Sequence, residues 1–377
     1  MRLSGCLLAR DEEANLPRCL ASLAPVVDEV VVCDTGSRDR TVAIAEAAGA
    51  RVVHFPWCDD FAAAHNFLHR HATGDWILWI DADEELLPIP RKRLQRLLRA
   101  PRALAYLVTR LDLVAADDPE SYTEMVLPRL FRRRPELTLV GRCHPEFRHP
   151  SLGEVAAREG LAIAPSPVRL RHYGYTAEQR PGKLRRAARL LALELEERPG
   201  QLYYQIELGR TLLELGDPSG HRILAEATAE VWRHRHDRRP PTPHVALLFD
   251  YLLGPPAPAA GGLPPRAAVA ELAARWFPDA APLLWRRAQI AFEGGDFATA
   301  AGLLERLLRL GRDHGYDHAV SFDPAILGDQ TRLNLGVCYT RLARLEEAAA
   351  CFRGLRHSPT CGAAARANLA VVERLRR

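Results

Sequence analysis

The chain has 377 residues, 47% of them hydrophobic and 26% charged. This is the composition of a soluble globular protein with room for two or three domains of roughly 150 residues each. With 51 basic and 47 acidic residues, the net charge of +4 excludes a strongly polybasic or polyacidic chain and indicates no nucleic-acid partner. The eight cysteines are scattered without a CxxC pair, and no apolar run reaches about 18 residues. We therefore predict free thiols, no membrane span and a cytoplasmic location.

Short apolar runs alternate with amphipathic segments over residues 2–80. Strands are predicted at 2–9, 29–33, 51–55 and 76–80, and helices at 15–23, 40–48 and 61–71. Gly49 follows the second helix as a left-handed C-cap would. Continuously apolar strands that alternate with helices indicate a parallel sheet covered on both faces.

Four loops follow the carboxyl ends of these strands and are rich in carboxylates. They span residues 10–13, 34–39, 58–60 and 81–85. In open α/β sheets, ligands bind in the crevice outside the carboxyl ends of the strands. The four loops are therefore predicted to meet at one binding site.

The stretch 74–86, GDWILWIDADEEL, takes a buried strand directly into acidic residues. Asp81 and Asp83 lie two positions apart, so on an extended chain their carboxylates point the same way and can share a divalent cation. Hard oxygen ligands favour Mg²⁺ or Mn²⁺. Such an ion would also hold a diphosphate. The alternative is an acidic helix N-terminus, in which Glu84 and Glu85 favour the helix dipole.

Asp34 ends the second strand in the segment VVVCDTGSRDRT. Its carboxylate is placed to accept hydrogen bonds from a ribose or a uracil ring. Asp39, after the turn, is suited to capping the next helix and also to contacting a ligand.

The sequence changes to helical patterns from about residue 183. LNLGVCYTRLARLEEAAACF and AQIAFEGGDFATAAGLL have the spacing of tetratricopeptide helix pairs, and a generic helical bundle is the alternative. The basic stretch 233–244, RHRHDRRPPTPH, is interpreted as a solvated loop, not a metal or nucleic-acid site. We predict a catalytic domain at 1–180, a helical segment at 181–253, a Pro/Gly-rich linker at 254–265 and repeats at 266–377.

Residues 6–50, 54–67 and 72–86 together closely resemble family 2 glycosyltransferases, the inverting GT-A enzymes. The resemblance resumes at RLFRRRPELTLVGRCHPEF (129–147) and VRLRHYGYT (168–176). It is strongest to the branch that carries tetratricopeptide repeats and includes sublancin-type peptide S-glycosyltransferases. The implied fold is a GT-A domain, which has a Rossmann-like, mostly parallel sheet with helices on both faces, followed by an all-α repeat domain.

The resemblance also implies three sets of site residues. The nucleotide-sugar set is Arg10, Glu12, Asp34, Asp60, His65, Asn66, Asp81 and Ala82. The metal set, for Mg²⁺ or Mn²⁺, is Asp81, Asp83 and His172. The candidate catalytic bases are His144 and Glu146. From the residues alone, His172 beside Tyr173 and Tyr175 would also suit a packed histidine.

Three positions depart from the pattern of the family. Pro145 separates His144 from Glu146, where relatives have His followed directly by Glu. Asp11 replaces a usual Asn, and His65 replaces a usual Arg, which weakens any direct phosphate contact there.

The sequence therefore predicts a metal-dependent inverting glycosyltransferase with a nucleotide diphosphate sugar donor, UDP-sugar being favoured. A peptide or protein acceptor is favoured over a saccharide or lipid-linked one, and the repeats would present the acceptor or form a homodimer. A sugar-phosphate nucleotidyltransferase is disfavoured, because the first loop, ARDEEAN, lacks a glycine-rich phosphate loop. A non-catalytic repeat scaffold is the remaining alternative, and the intact acids and His172 argue against it.

Overall fold

The computed structural model describes residues 1–115, 118–174, 180–254, 263–313, 315–317 and 320–377. Within these, the chain forms two compact units, Met1–Tyr204 and Gln205–Arg377. Residues 181–204, which the sequence groups with the helical part, lie in the first unit. Tyr175 and residues 255–262 of the predicted linker lie outside the described residues.

The first unit is built on a mixed β-sheet. The strands of this unit are β1 (Leu3–Ala9), β2 (Glu29–Asp34), β3 (Arg51–His54), β4 (Trp76–Trp79), β5 (Glu84–Leu86), β6 (Ala103–Ala115), β7 (Asp118–Arg132), β8 (Leu139–Val140), β9 (Glu146–Phe147) and β10 (Ala162–His172). In the described part of the chain, eight of them form one sheet in the order β3-β2-β1-β4-β7-β6-β10-β5, and β8 pairs with β9.

The parallel half of the sheet confirms the prediction for residues 2–80. Strand β1 pairs in parallel with β2 and β4, and β2 pairs in parallel with β3. The intervening helices are α1 (Leu16–Leu23), α2 (Thr41–Ala47) and α3 (Phe61–His71). Gly49 has φ +77°, the left-handed conformation predicted for it. Apolar side chains from both faces of the strands fill two core clusters, so the sheet is buried on both sides.

The other half of the sheet contains a long antiparallel pair that the sequence analysis did not predict. Strand β7 lies between β4 and β6 and is antiparallel to both. Strand β10 is parallel to β6 and antiparallel to the short β5. These pairings bring residues from distant parts of the sequence to the carboxyl end of β4.

Three further helices of the first unit are α4 (Arg91–Leu98), α5 (Leu152–Glu159) and α6 (Arg180–Glu197). Helix α5 begins with a capping box, in which Ser151 and Glu154 exchange hydrogen bonds with each other's backbone. Helix α7 (Leu202–Glu214) starts in this unit.

The regular elements of the second unit, within its described residues, are mainly α-helices. Its helices are α8 (Ser219–Arg233), α9 (Val245–Leu253), α10 (Arg266–Trp276), α11 (Ala281–Glu293), α12 (Phe297–Asp313), α13 (Asp329–Arg341), α14 (Leu345–Gly354) and α15 (Gly362–Leu375). Gly336 allows α13 to approach α14 closely, because a Cβ there would lie 2.6 Å from the Phe352 ring. The predicted helix pairs of the repeat pattern are therefore confirmed.

A cavity of about 240 Å³ opens among α11, α12 and α13 of the second unit. Its lining includes Trp285, Phe292, Leu304 and Asn334. Among the described residues, no helix has the length and apolar character needed to span a bilayer.

Candidate active site

Asp34 provides an ionised acceptor at the carboxyl end of β2. The buried carboxylate accepts hydrogen bonds from the backbone N–H groups of Gly36 (3.2 Å) and Ser37 (3.0 Å), and it lies 3.3 Å from Nδ1 of His54. Burial acts to raise the pKa of Asp34, but the hydrogen bonds from Ser37, Gly36 and His54 lower it overall. Asp34 thus lies at the carboxyl end of β2, and its contact with a nucleotide stays a prediction.

The first two predicted loops are tied together by side-chain to backbone hydrogen bonds. Asp11 has φ +54°, and its Oδ1 accepts from the N–H of Arg38 at 2.7 Å. Aspartate tolerates the left-handed region nearly as well as the asparagine usual at this position. Asp39 accepts hydrogen bonds from the backbone N–H groups of Glu13 and Thr41. In the structure it therefore links the first loop to the start of α2.

Arg10 and Glu12 also lie in the first loop. Arg10 is exposed just beyond β1, whereas Glu12 is half-buried and accepts a hydrogen bond from Nδ2 of Asn15 at 2.8 Å. Burial raises the pKa of Glu12, and the negative charge of Asp83 acts in the same direction. Glu12 is therefore electrostatically coupled to the acidic loop after β4.

Three predicted donor-binding residues of the third loop and α3 make contacts within the scaffold, and their contacts with a donor stay predictions. Asp60 caps α3 by accepting from the N–H of Ala63 at 2.9 Å. The Asn66 amide donates to the carbonyl of Leu139 and accepts from its N–H, both at 2.8 Å. His65 is buried with its ring centroid 4.2 Å from that of Trp79.

His69, one turn after His65, gives the stability of the protein a defined pH dependence. Among the residues that the structure describes, neither of its ring nitrogens has a hydrogen-bond partner, and Phe131 packs against the ring. Burial, and then the charge of Arg129, lower the pKa of His69 from 6.5 to about 3. As pH falls below 6.5, the unfolded chain takes up this proton before the folded one does. The contribution of neutral His69 to the stability is therefore fully present above pH 6.5 and is lost progressively as the pH falls towards 3.

We expect the variant His69→Leu to lose less stability in acid. Between pH 7.5 and pH 5, the free energy of unfolding should fall by about 2 kcal/mol less in the variant than in the wild type. Urea midpoints measured at pH 7.5, 6 and 5 check this, with the exposed His357→Leu as the control that keeps the wild-type slope. Equal slopes for wild type and His69→Leu would show that His69 is not the responsible group.

Asp81, the first acid of the DxD triplet, is already bound by an arginine. Arg129 donates to both of its carboxylate oxygens, at 3.2 and 3.0 Å, and stacks on Trp79 with 4.2 Å between the guanidinium and the ring. Since Leu130 pairs with Leu78 in the β4–β7 register, the preceding residue, Arg129, falls beside the end of β4. Burial acts to raise the pKa of Asp81, but Arg129 holds it well below its usual range.

Asp83 is the acid that faces other functional groups. His172 lies opposite Glu84 in the β5–β10 pairing and opposite Asp112 in the β6–β10 pairing. Its Nδ1 is 2.6 Å from Asp112 Oδ1, and its Nε2 is 3.4 Å from Asp83 Oδ2. Burial acts to lower the pKa of His172, but the bonds to Asp112 and Asp83 raise it to about 9.

Lys183 and Gly174 complete this cluster. Nζ of Lys183 lies 2.5 Å from Oδ2 of Asp83. A Cβ placed on Gly174 would lie 2.1 Å from that oxygen, 2.2 Å from Lys183 Nζ and 2.5 Å from His172 Nε2. Three polar atoms therefore converge over a backbone position that has room only for glycine.

Two of the three predicted metal ligands fit a divalent ion. Asp112 fixes the ring of His172 through Nδ1, which leaves Nε2 directed at Asp83, as in carboxylate–histidine–metal arrangements. Mg²⁺ commonly takes one or two protein ligands and completes its shell with water and phosphate oxygens. In this structure Asp81 is paired with Arg129 through both of its oxygens, and its role as a metal ligand stays a prediction. No set of three or more His, Cys, Asp or Glu side chains within the described ranges is arranged for a metal.

The candidate acceptor-side residues lie near the β8–β9 pair. His144 is exposed and has φ +52°. Glu146 begins β9, and its Oε2 accepts a hydrogen bond from Nη2 of Arg148 at 2.8 Å. Asn66 holds the neighbouring strand β8, so this region is fixed to α3.

A comparison with known protein families covers the part of the chain that contains Asp34, Asp81 and Asp83. Residues 6–151 match the model of Glycosyl transferase family 2. Residues 6–151 therefore match a family 2 glycosyltransferase domain, and the resemblance predicted from the sequence is confirmed over these residues.

Several curated relatives share this part of the chain. A TPR repeat-containing protein of Synechococcus elongatus is 42% identical over 221 residues, which are 57% of this chain and 53% of that protein. An uncharacterized glycosyltransferase of Rickettsia felis is 32% identical over 34% of this chain and 44% of its own length. SPbeta prophage-derived glycosyltransferase SunS of Bacillus subtilis is 26% identical over 37% of this chain and 33% of its own length. The chain thus spans about half or less of the length of these relatives.

Solved structures give a weaker likeness. Glucosyl-3-phosphoglycerate synthase from Mycobacterium tuberculosis in complex with UDP matches with 23% identity and a TM-score of 0.36, over 52% of this chain and 79% of that one. The same synthase was also crystallised with Mn²⁺, UDP and glucosyl-3-phosphoglycerate. A TM-score of this size supports no conclusion about the ligands of the present chain.

Proposed function

We propose that this protein is a metal-dependent inverting glycosyltransferase that transfers a sugar from a UDP-sugar to an acceptor. The observation that carries the proposal is the Asp112–His172–Asp83 array at the carboxyl end of β4, whose two carboxylates lie within the residues that match the family 2 model. A degenerate scaffold would not need a buried histidine oriented by one carboxylate towards another. The intact array therefore favours an active enzyme.

The positions of Asp34 and Asp83 suit the two ends of a nucleoside diphosphate. Strand β1 lies between β2, which ends at Asp34, and β4, which precedes Asp83. Strands two places apart in a sheet are separated by about 10 Å. In the proposed complex, Asp34 accepts hydrogen bonds from the ribose or uracil at one side of this gap, and Asp83 faces the diphosphate at the other.

In the proposed reaction, the acceptor attacks the anomeric carbon from the face opposite the diphosphate. The new bond forms as the carbon–oxygen bond to the diphosphate breaks, and the electron pair leaves with the diphosphate. The acceptor proton passes to a base, for which His144 and Glu146 stay the candidates. A divalent ion held by Asp83 and His172 would supply charge neutralisation for the departing diphosphate. Arg129 keeps Asp81 ionised and fixed beside this site.

A peptide or protein acceptor is part of the proposal. The similarity to SunS agrees with the resemblance to the sublancin-type branch. The cavity lined by Trp285, Phe292 and Asn334 in the second unit offers aromatic and amide groups of the kind that bind extended peptides. The alternative acceptor is a saccharide or a lipid-linked molecule. The alternative role of the helical unit is to form a homodimer.

The substitution Asp83→Asn tests the donor site. We expect wild-type protein to bind UDP in calorimetric titrations only weakly without Mn²⁺ and at least 10-fold more tightly with it. The variant should lose this gain, because an amide is a poor ligand for a hard cation and offers no charge. Exposed Glu196→Gln, which removes one negative charge from α6, is the control that should behave as wild type.

Two outcomes would count against this assignment. If wild-type protein binds no UDP with or without Mn²⁺, the UDP donor is wrong. If Asp83→Asn keeps the full gain from Mn²⁺, the metal does not bind at Asp83. Screening of UDP-sugars for hydrolysis, and then of acceptors, follows from a positive result.

A further inference from the structure

Lys183 occupies the position next to Asp83 in which a metal ion would be expected. Its ammonium lies 2.5 Å from Asp83 Oδ2, and its side chain is 28% exposed, whereas that of Asp83 is 8% exposed. The carboxylate is therefore compensated by a charge of the chain itself. Sequence reasoning assigned no role to this lysine.

Helix α6, which carries Lys183, is fixed to the loops that border the site. Arg189 donates to both carboxylate oxygens of Asp59, at 2.7 and 2.5 Å. Further along the helix, the fully buried Glu194 accepts a hydrogen bond from the backbone N–H of Arg142 at 2.8 Å. These contacts place the start of the helix beside the donor crevice, so the position of Lys183 follows from the anchoring of α6.

The Lys183 ammonium and a metal ion bound at Asp83 would compete for the same space. The lysine Nζ lies 2.2 Å from the point where a Gly174 Cβ would be, and His172 Nε2 lies 2.5 Å from that same point. An ion bound to both Asp83 and His172 would have to occupy this space as well. Metal binding therefore requires the ammonium to leave.

A second anionic partner for Lys183 is provided by the expected donor. Both Lys183 and Arg186 exert a positive potential on Glu12 in the first nucleotide loop, so the cationic side of α6 faces the crevice. A lysine side chain reaches alternative partners by rotation about its flexible stem. A diphosphate in the crevice would be within this range of movement.

We propose that Lys183 compensates Asp83 in the donor-free protein and moves to the diphosphate when a divalent ion binds at Asp83. This proposal rests on the proposed function. The metal alone has to displace the ammonium without compensation, whereas metal together with UDP gives the ammonium a new anion. Metal and nucleotide therefore increase each other's affinity, and Lys183 contributes part of this coupling.

Binding of Mn²⁺ to Lys183→Met tests the proposal. Methionine keeps much of the length of the side chain but has no charge. Without UDP, the variant should bind Mn²⁺ about 10-fold more tightly than wild type, as expected for removal of one competing charge-assisted bond. With UDP present, its additional gain in Mn²⁺ affinity should be about 10-fold smaller. Free Mn²⁺ measured by electron paramagnetic resonance gives both affinities without any activity assay.

Further variants distinguish an error in the role of Lys183 from an error in the metal site itself. Arg185→Met removes the same charge from an exposed position two residues along α6 and should leave both Mn²⁺ affinities at wild-type values. Lys183→Gln should reproduce Lys183→Met, which guards against a folding defect in either variant. If both Lys183 variants bind Mn²⁺ as wild type does, the proposal is overturned. If Asp83→Asn also binds Mn²⁺ as wild type does, the proposed metal site itself is wrong.

Discussion

Replacing Gly174 with alanine is expected to weaken Mn²⁺-dependent UDP binding at least 100-fold. The added methyl group would lie 2.1 Å from Asp83 Oδ2 and 2.5 Å from His172 Nε2, far inside van der Waals contact. Lys183 can rotate away, but His172 is held by Asp112 and cannot move without breaking that bond. Asp83 must then leave its position, and a displacement of this size is enough to disable a metal or diphosphate site.

Gly182→Ala is the matched control for this prediction. A Cβ at Gly182 meets no atom within 4 Å, and alanine favours the helical conformation of α6. Calorimetric titration of UDP with Mn²⁺ should therefore give the wild-type affinity for Gly182→Ala and no measurable affinity for Gly174→Ala. Wild-type affinity in Gly174→Ala would mean that the convergence of Asp83, His172 and Lys183 is not the donor site.

Replacing Arg129 with leucine is expected to lower the free energy of unfolding by about 3–5 kcal/mol, the usual cost of removing one partner of a buried ion pair. Arg129 is 7% exposed, and its guanidinium donates to both oxygens of Asp81. It also lies 3.9 Å from the fully buried Glu84. Leucine would fill part of the volume but leave the half-buried Asp81 and the fully buried Glu84 without this compensation.

Urea unfolding of a small set of variants measures this effect. Arg129→Lys should recover only part of the loss, since lysine cannot donate to two oxygens in a planar fork. Adding Asp81→Asn to Arg129→Leu should restore some stability, because it removes one uncompensated charge. Arg96→Leu, on the exposed side of α4, should stay within about 0.5 kcal/mol of wild type. A loss below about 1 kcal/mol for Arg129→Leu would contradict the assigned role.

The sequence predicted those parts of the fold and site that depend on local patterns. The apolar strands and their spacing gave the parallel half of the sheet, and the carboxyl-end rule placed Asp34 and Asp83 on one edge. His172 came from the resemblance, since its sequence neighbours suit a packed histidine equally well. The structure brings it within 3.4 Å of Asp83.

The missed residues depend on pairings that no local pattern encodes. Asp112 reaches His172 across 60 positions, and Lys183 reaches Asp83 across 100. Only Arg129 could have been suspected from the sequence. It is a single charged residue within the apolar run LPRLF, and burying an unpaired charge is unfavourable unless an acid pairs with it.

The structural roles of Asp60 and Asn66 show a different limit. Both positions fit the pattern of the family, and in the structure Asp60 is an N-cap and Asn66 is hydrogen-bonded to β8. The cap could have been recognised, because an aspartate directly before a predicted helix is the most common capping arrangement. The hydrogen bonds between Asn66 and Leu139 could not have been recognised, since the two residues are 73 positions apart.

During synthesis, the two acids after β4 are made before the residues that neutralise them. When the ribosome has produced β1 to β5, Asp81 and Asp83 exist, but the arginine, histidine and lysine that neutralise them are still 48 to 100 residues away along the chain. The acidic edge must therefore stay hydrated until β7, β10 and α6 arrive, and its burial is a late event. Contacts this distant in sequence slow folding, so the nascent domain acquires its site only at the end of its assembly.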